Sequence, residues 1–227
     1  MELAVLREDM VDGLEAAPKN VLTDETVSVA MRDVSRHAFL DDERTAYADR
    51  EHEALGTRVL APSTAARLLQ ALALEGDETV LIVGVGVGYT AAVAAEIVGE
   101  TNVHAIDISR PLVAEARRNL AAAGYDGVLV DCRDGANGLP EYAPFDRILL
   151  EAAVVDPPRA LREQLDPITL EPLLVEGEQS GAVERNRMTR EDRERAQRRA
   201  ESRRGWEQDW IEWDETLGTQ SRQPRTR

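Results

Sequence analysis

The sequence predicts an α/β fold built on an open, mostly parallel sheet. Three observations carry that prediction. Short apolar runs rich in β-branched residues alternate with helical patterns between residues 62 and 155, as in a parallel sheet with helices on both faces. The run "TVLIV" (79–83) is apolar at nearly every position, as a strand buried on both faces must be. It leads directly into "GVGVG" (84–88) and then a helical pattern. Strand, tight turn and helix start together form the unit at which open α/β sheets bind ligands.

The N-terminal part, residues 1–60, reads as a helical segment. Over residues 2–15, Leu3, Leu6, Met10, Val11 and Leu14 share one helical stripe, which Pro18 ends. Thr23 is the candidate cap of a second helix, with Asp24 and Glu25 favourable in its first turn. Its apolar face is Val27, Ala30, Met31 and Val34. Residues 40–57 are polar and aperiodic and read as a loop.

Residues 61–170 read as the core. Ser63 is the candidate cap of a helix carrying Leu68, Leu69 and Leu72 and closed by Gly76. The 79–83 strand, a helix over 89–98 and a strand at 103–107 follow. Ser109 starts the next helix, with Pro111 in its first turn, Leu112, Val113, Ala116 and Leu120 on one face and Gly124 at its end. Further strands are expected at 127–132 and 147–155, and right-handed crossovers then fix the local topology.

After Leu165 the alternation stops, with one more strand conceivable in "ITL". Residues 171–227 read as a charged helical extension and tail. The helix would start at Thr189, supported by opposite charges three and four residues apart. Trp206, Trp210 and Trp213 fall on one helical face. That face either packs on the protein's own core or serves as a homo-oligomer or partner interface.

Acidic residues number 43 against 27 basic ones, for a net charge of −16. Such a surface repels phosphate backbones and argues against a nucleic-acid partner. Lys19 is the only lysine. An acidic excess with almost no lysine is expected of a halophilic protein, whose salty cytoplasm screens self-repulsion. The single cysteine, Cys132, excludes an internal disulfide and suits a reducing compartment; its place in a strand predicts burial. "MELAVLREDM" carries early acids and no long apolar core, so it does not read as a signal peptide. No window approaches the ~18 uncharged apolar residues of a membrane span. The expectation is a soluble, cytoplasmic chain with no membrane partner. His37, His52 and His104 lie far apart and show no metal-ligand spacing.

The glycines at 84, 86 and 88 would let backbone amides approach a ligand closely. The dinucleotide fingerprint is G-x-G-x-x-G, and the phosphate loop needs Lys-Ser/Thr after its last glycine. This chain has G-x-G-x-G followed by Tyr89-Thr90, the shorter spacing that S-adenosylmethionine sites use. Asp107 ends the second strand 19 residues after Gly88, placed to accept both ribose hydroxyls. Asp134-Gly135 follows the third strand, where a carboxylate could meet an adenine amino group. The candidate cofactor-binding set is Gly84, Val85, Gly86, Gly88, Asp107, Ile108, Asp134 and Gly135. The cofactor expected is S-adenosyl-L-methionine.

These residues belong to longer stretches: "AMRDVSRHAF" (30–39), "YAD" (47–49), "AP" (61–62), "VLIVGVGVGYTAAVAAEIVG" (80–99), "RRNLAAAGYDGV" (117–128), "DGANG" (134–138) and "YAPFDRILLEAA" (142–153). From about residue 23 to 165 the chain resembles protein-L-isoaspartate O-methyltransferases. The resemblance implies a class I S-adenosylmethionine-dependent methyltransferase, a Rossmann-like fold with N-terminal helices. It implies methyl transfer to the isoaspartyl carboxylate of a damaged protein or peptide.

The departures gather on the acceptor side. Where the family usually has Gly-Gln-Thr-Ile-Ser before Ala-Pro, this chain has "GTRVL" (56–60), with Arg58 for the threonine and Leu60 for the serine thought to serve catalysis. Ser63 and Thr64 replace the residues usual after Ala-Pro, and Glu151 replaces a threonine; Ile82 stands where the family has an acid two residues before the first glycine, which removes a partner for the cofactor's methionine end. Two or three further strands of the family have no counterpart after 165, so the strand region reads as truncated. Arg58, Leu60, Pro62 and Ser63 are the candidate substrate-pocket residues, and no catalytic side chain is assigned. The nucleophile would be a carboxylate, already ionised near neutral pH, so no general base is required. The alternatives are a cofactor-binding scaffold of the same fold without activity, or a methyltransferase with another acceptor.

Overall fold

In a computed structural model of the chain, residues 3–153 and 156–166 are described. Two N-terminal helices come first, α1 (Leu3–Glu15) and α2 (Glu25–Asp33). Arg32 of α2 ties them together by ion pairs to Glu8, Asp12 and Glu15 of α1. The cap of α2 is Asp24 rather than Thr23: its Oδ1 accepts from the Val27 amide at 3.0 Å. Thr23 instead donates its own amide to Gln70 Oε1 at 2.7 Å.

A 3₁₀ turn, Arg36–Phe39, follows. The stretch expected to be a loop contains a hairpin, β1 (His52–Ala54) and β2 (Thr57–Val59). Its strands are too short to show alternation. Leu55 and Gly56, at φ 50° and 78°, form the two-residue connection, the left-handed turn that suits strand twist.

Next come α3 (Pro62–Leu72), β3 (Val80–Val83), α4 (Tyr89–Val98), β4 (Val103–Asp107), α5 (Arg110–Ala123), β5 (Leu129–Cys132), β6 (Arg147–Leu150) and the short α6 (Arg159–Arg162). Ala61, not Ser63, occupies the N-cap of α3, because Pro62 needs no amide partner at the first helical position. Its end is Ala73, in the left-handed region at φ 49°, three residues before Gly76.

Among the described residues the main sheet has strand order β5-β4-β3-β6, and every pairing is parallel. β6 stops at Leu150 instead of running to 155, because the amides of Glu151 and Ala152 both turn to the Val83 carbonyl, at 2.9 and 3.1 Å.

The helices α2, α3, α4 and α5 bury one sheet face through a core that includes Val80, Ile82, Ala105 and Leu149. On the other face Leu81, Val83 and Ile106 meet Leu139, Phe145 and Leu161. Beyond β6 the chain returns alongside Phe145, whose amide donates to the Gln164 carbonyl at 2.8 Å. Cys132 is only half-buried, since β5 is an edge strand of the described sheet. The possible strand in "ITL", the charged helix from Thr189 and the tryptophan face at Trp206, Trp210 and Trp213 lie outside the described residues. Among the described residues no helix is long and apolar enough to cross a membrane.

Candidate functional site

The carboxyl ends of all four parallel strands open on one cavity of ≈ 470 Å³. Going across the sheet, its floor presents Asp134 after β5, Asp107 at the end of β4, Gly84 and Gly86 after β3, and Glu151 after β6. Arg36 and the hairpin residues Thr57 to Leu60 also line it.

The turn after β3 is fixed by its own backbone. The amides of Gly84 and Val85 both donate to the Ile106 carbonyl, at 2.8 and 3.1 Å. Gly84 has φ +97°, and a Cβ there would sit 2.8 Å from the Ala152 amide nitrogen. Gly86 differs. Its φ is +55°, yet a Cβ would meet nothing within 4 Å, so the space above it is free for a ligand. Gly88 does not line the cavity; it caps α4 and packs on Leu120.

Asp107 has a second task beyond the one its position suggests. Its Oδ2 accepts from the Gly86 amide at 3.2 Å and its Oδ1 from the Ser109 amide at 2.9 Å. The carboxylate thus pins the turn while each oxygen retains acceptor capacity for a sugar hydroxyl. Its neighbour Ile108 is 73% exposed, an uncovered apolar side chain at the cavity rim. Asp134 is exposed, and its Oδ1 accepts from the Ala136 amide at 2.9 Å. A Cβ on Gly135 would meet Val83 Cγ1 at 2.4 Å, so only glycine lets this loop lie against the end of β3.

The remaining side of the cavity is built from side chains. Leu60 is half-buried and lines it; its carbonyl accepts from Arg36 Nη2 at 2.6 Å. Arg58 also lines it but is an exposed residue paired with Glu51 at 3.3 Å. Pro62 and Ser63, expected in the pocket, do not line it. Pro62 is buried at the start of α3, and the Ser63 amide donates to Asp49 Oδ1 at 2.9 Å.

Two charged groups in the cavity wall have no counterpart in the sequence reading of the site. Arg36 is fully buried, donates Nε to the Ala46 carbonyl at 2.9 Å, and lies 4.4 Å over the Tyr89 ring. Its Nη1 has no hydrogen-bond partner. Burial lowers its pKa and raises that of Tyr89, though a guanidinium stays charged. Glu151 is half-buried, with Oε1 sealed from water and unpartnered. Burial pushes its carboxyl up to about 7, against the opposing effect of the Thr90 hydroxyl. No periodicity marks a buried arginine in "SRHAF"; the signs at 151 are an acid closing an apolar strand and its place where the family usually has a threonine.

The family described as Protein-L-isoaspartate(D-aspartate) O-methyltransferase (PCMT) matches residues 7–199. A protein-L-isoaspartate O-methyltransferase of Methanosarcina mazei is 39% identical over 170 residues, covering 73% of this chain and 68% of the relative. One from Opitutus terrae is 41% identical over 162 residues, covering 70% and 68%. A solved protein-L-isoaspartate O-methyltransferase superposes with a TM-score of 0.63 at 27% identity, over 70% of this chain and 52% of that one. The chain therefore spans about half the length of that structure. A Plasmodium falciparum structure in complex with S-adenosyl-L-homocysteine shares the fold at a TM-score of 0.63 and 19% identity, over 70% of this chain and 79% of that one.

Proposed function

This chain belongs to the protein-L-isoaspartate(D-aspartate) O-methyltransferase family, and from that premise we propose that it methylates the isoaspartyl carboxylate of damaged proteins, with S-adenosylmethionine as donor. The observation that carries the proposal is the cradle made by Gly86 and Asp107: open space where a Cβ would stand, beside a carboxylate fixed by two backbone amides. That cradle fits the cofactor. Asp107 offers acceptors to the ribose, Ile108 an apolar surface to the adenine, and Asp134 an acceptor to its amino group. When bound, the cofactor supplies a methyl group on a sulfonium, open to in-line attack.

The protein's own part is binding, orientation and exclusion of water. Val83, Val85 and Leu60 give the cavity apolar walls. An isoaspartyl carboxylate arrives ionised and needs no base, so the loss of a hydroxyl at Leu60 removes an orienting group and leaves the nucleophile intact. Arg36 is suited to receive that anion: it is a cavity-lining cation with Nη1 unpaired. The exposed Arg58, already paired with Glu51, is not. A cofactor-binding scaffold remains the second reading, favoured by Leu60 and Arg58 at the positions where a serine and a threonine are usual.

The acidic surface, with one lysine and a net charge of −16, supports a salt-rich cytoplasm as the working compartment. The test is accordingly run in molar potassium chloride. S-adenosylmethionine is titrated by calorimetry, and an isoaspartyl peptide is then added. Saturable binding followed by a base-labile methyl ester is the expected result. Binding without ester, with the aspartyl and isoaspartyl peptides equally inert, supports the scaffold or a methyltransferase with another acceptor; no binding by folded protein refutes every cofactor-based reading.

A further inference from the structure

Resting on the methyltransferase reading, we propose that Glu151 anchors the ammonium of the cofactor's methionyl end. The order of groups along the sheet edge points to it. Asp134, Asp107, the glycine turn and Glu151 succeed one another across β5, β4, β3 and β6. Adenine, ribose and the methionyl end succeed one another along the cofactor. With base and sugar at the β5–β4 side, the charged methionyl end is left for the β3–β6 side, where Glu151 is the cavity's acidic residue.

Its neighbours specify which face is involved. Leu149, two residues earlier, pairs with Ile82 on the face that α4 covers, and the Glu151 carboxyl lies beside the Thr90 hydroxyl in the first turn of α4. Ile82 is 1% exposed and apolar, so β3 offers no charge on that face.

Glu151 also lacks what such a ligand would bring. Its Oε1 is buried with no hydrogen-bond partner. The cavity's arginines do not supply one: Arg58 pairs with Glu51, and Arg36 donates to the carbonyls of Ala46 and Leu60. The Thr90 hydroxyl is the carboxyl's neutral neighbour, but a buried carboxylate oxygen with neither a hydrogen-bond donor nor a paired cation is costly, and a cation from outside relieves that cost. An acceptor carboxylate would do the reverse, since two like charges cannot both stay ionised at close range.

Pairing requires the ionised acid. In the free protein burial holds its carboxyl near 7, so ammonium binding should strengthen as pH rises through that value. The other charged and titratable groups lining the cavity are Arg36 from the 3₁₀ turn, Arg58 from β2, Tyr89 from α4, Asp107 from β4 and Asp134 after β5.

Calorimetry with two ligands isolates the effect. S-adenosylhomocysteine carries the ammonium; 5′-methylthioadenosine keeps the adenosine thioether and lacks the amino-acid end. For the unaltered protein, raising pH from 6 to 8 should tighten S-adenosylhomocysteine about tenfold and leave methylthioadenosine within about twofold. Glu151→Gln should weaken S-adenosylhomocysteine at pH 8 by about tenfold or more, spare methylthioadenosine and abolish the pH response. Equal losses for both ligands, or no loss for either, would overturn the proposal. If Glu151→Gln does not fold, the unaltered protein decides alone: a flat pH response for S-adenosylhomocysteine overturns the assignment. Failure of the unaltered protein to bind either ligand refutes the methyltransferase reading itself, a result separate from all of these.

Discussion

The two ends of the cavity are built by different means. Toward β4 and β5 the work is done by backbone: the glycine turn donates two amides to Ile106, and Asp107 clamps Gly86 and Ser109. Toward β6 and the hairpin it is done by long side chains, with Arg36 holding the Leu60 carbonyl and Glu151 buried beside Thr90. A site made of backbone tolerates little change in its residue types, because glycine and a short carboxylate are the only groups that fit. A site made of side chains can exchange one residue for another and alter what it accepts. That contrast explains why the departures from the family's usual pattern at Arg58, Leu60 and Glu151 cluster at one end.

The comparison is broken most severely by Gly86→Val. A β-branched residue at φ +55° is strained by about 1–3 kcal/mol, and its side chain enters the space kept for the ligand. S-adenosylhomocysteine affinity should fall more than about 100-fold by calorimetry, with the circular dichroism of the fold retained.

Asp107→Ala comes next. It releases two backbone amides and removes the sugar acceptor. A loss of about 2–3 kcal/mol in binding corresponds to roughly 30- to 150-fold weaker S-adenosylhomocysteine.

Arg36→Met probes the other end. The carbonyls of Ala46 and Leu60 lose their donors, which should cost about 2–4 kcal/mol of stability in a denaturant melt. Cofactor affinity should stay within about threefold, while ester formation on an isoaspartyl peptide falls at least about tenfold. Equal losses in binding and turnover would erase the distinction between the two ends.

Arg58→Ala should do least. A surface ion pair at 3.3 Å is worth little, so stability and cofactor affinity should change by less than about 0.5 kcal/mol. A larger effect on turnover alone would restore Arg58 as an acceptor contact.

Legibility in the sequence follows the same division. The helix at Tyr89–Val98 and the strand at Val103–Asp107 match their expected bounds, because unbroken apolar runs and a terminal glycine or acid delimit them. The alternation of strand and helix conveyed the parallel sheet. The hairpin at His52–Val59 leaves no periodic signal in the sequence, since three-residue strands are too short for a period. The caps at Asp24 and Ala61 each differ by one or two residues from those expected, as boundaries commonly do. Arg36 was hidden because burial of an arginine depends on carbonyls supplied from distant segments, at Ala46 and Leu60. Pro62 and Ser63 stand next to the cavity in sequence but face into α3 and toward Asp49.

Hydrogen exchange with and without S-adenosylhomocysteine, in high salt, tests most directly whether the strand ends enclose an adenosyl ligand. Slowed exchange confined to the amides of residues 84–90, 107–109 and 134–136 is the expected pattern. Slowing elsewhere with none at the glycine turn, in a protein shown to bind the ligand, would contradict it.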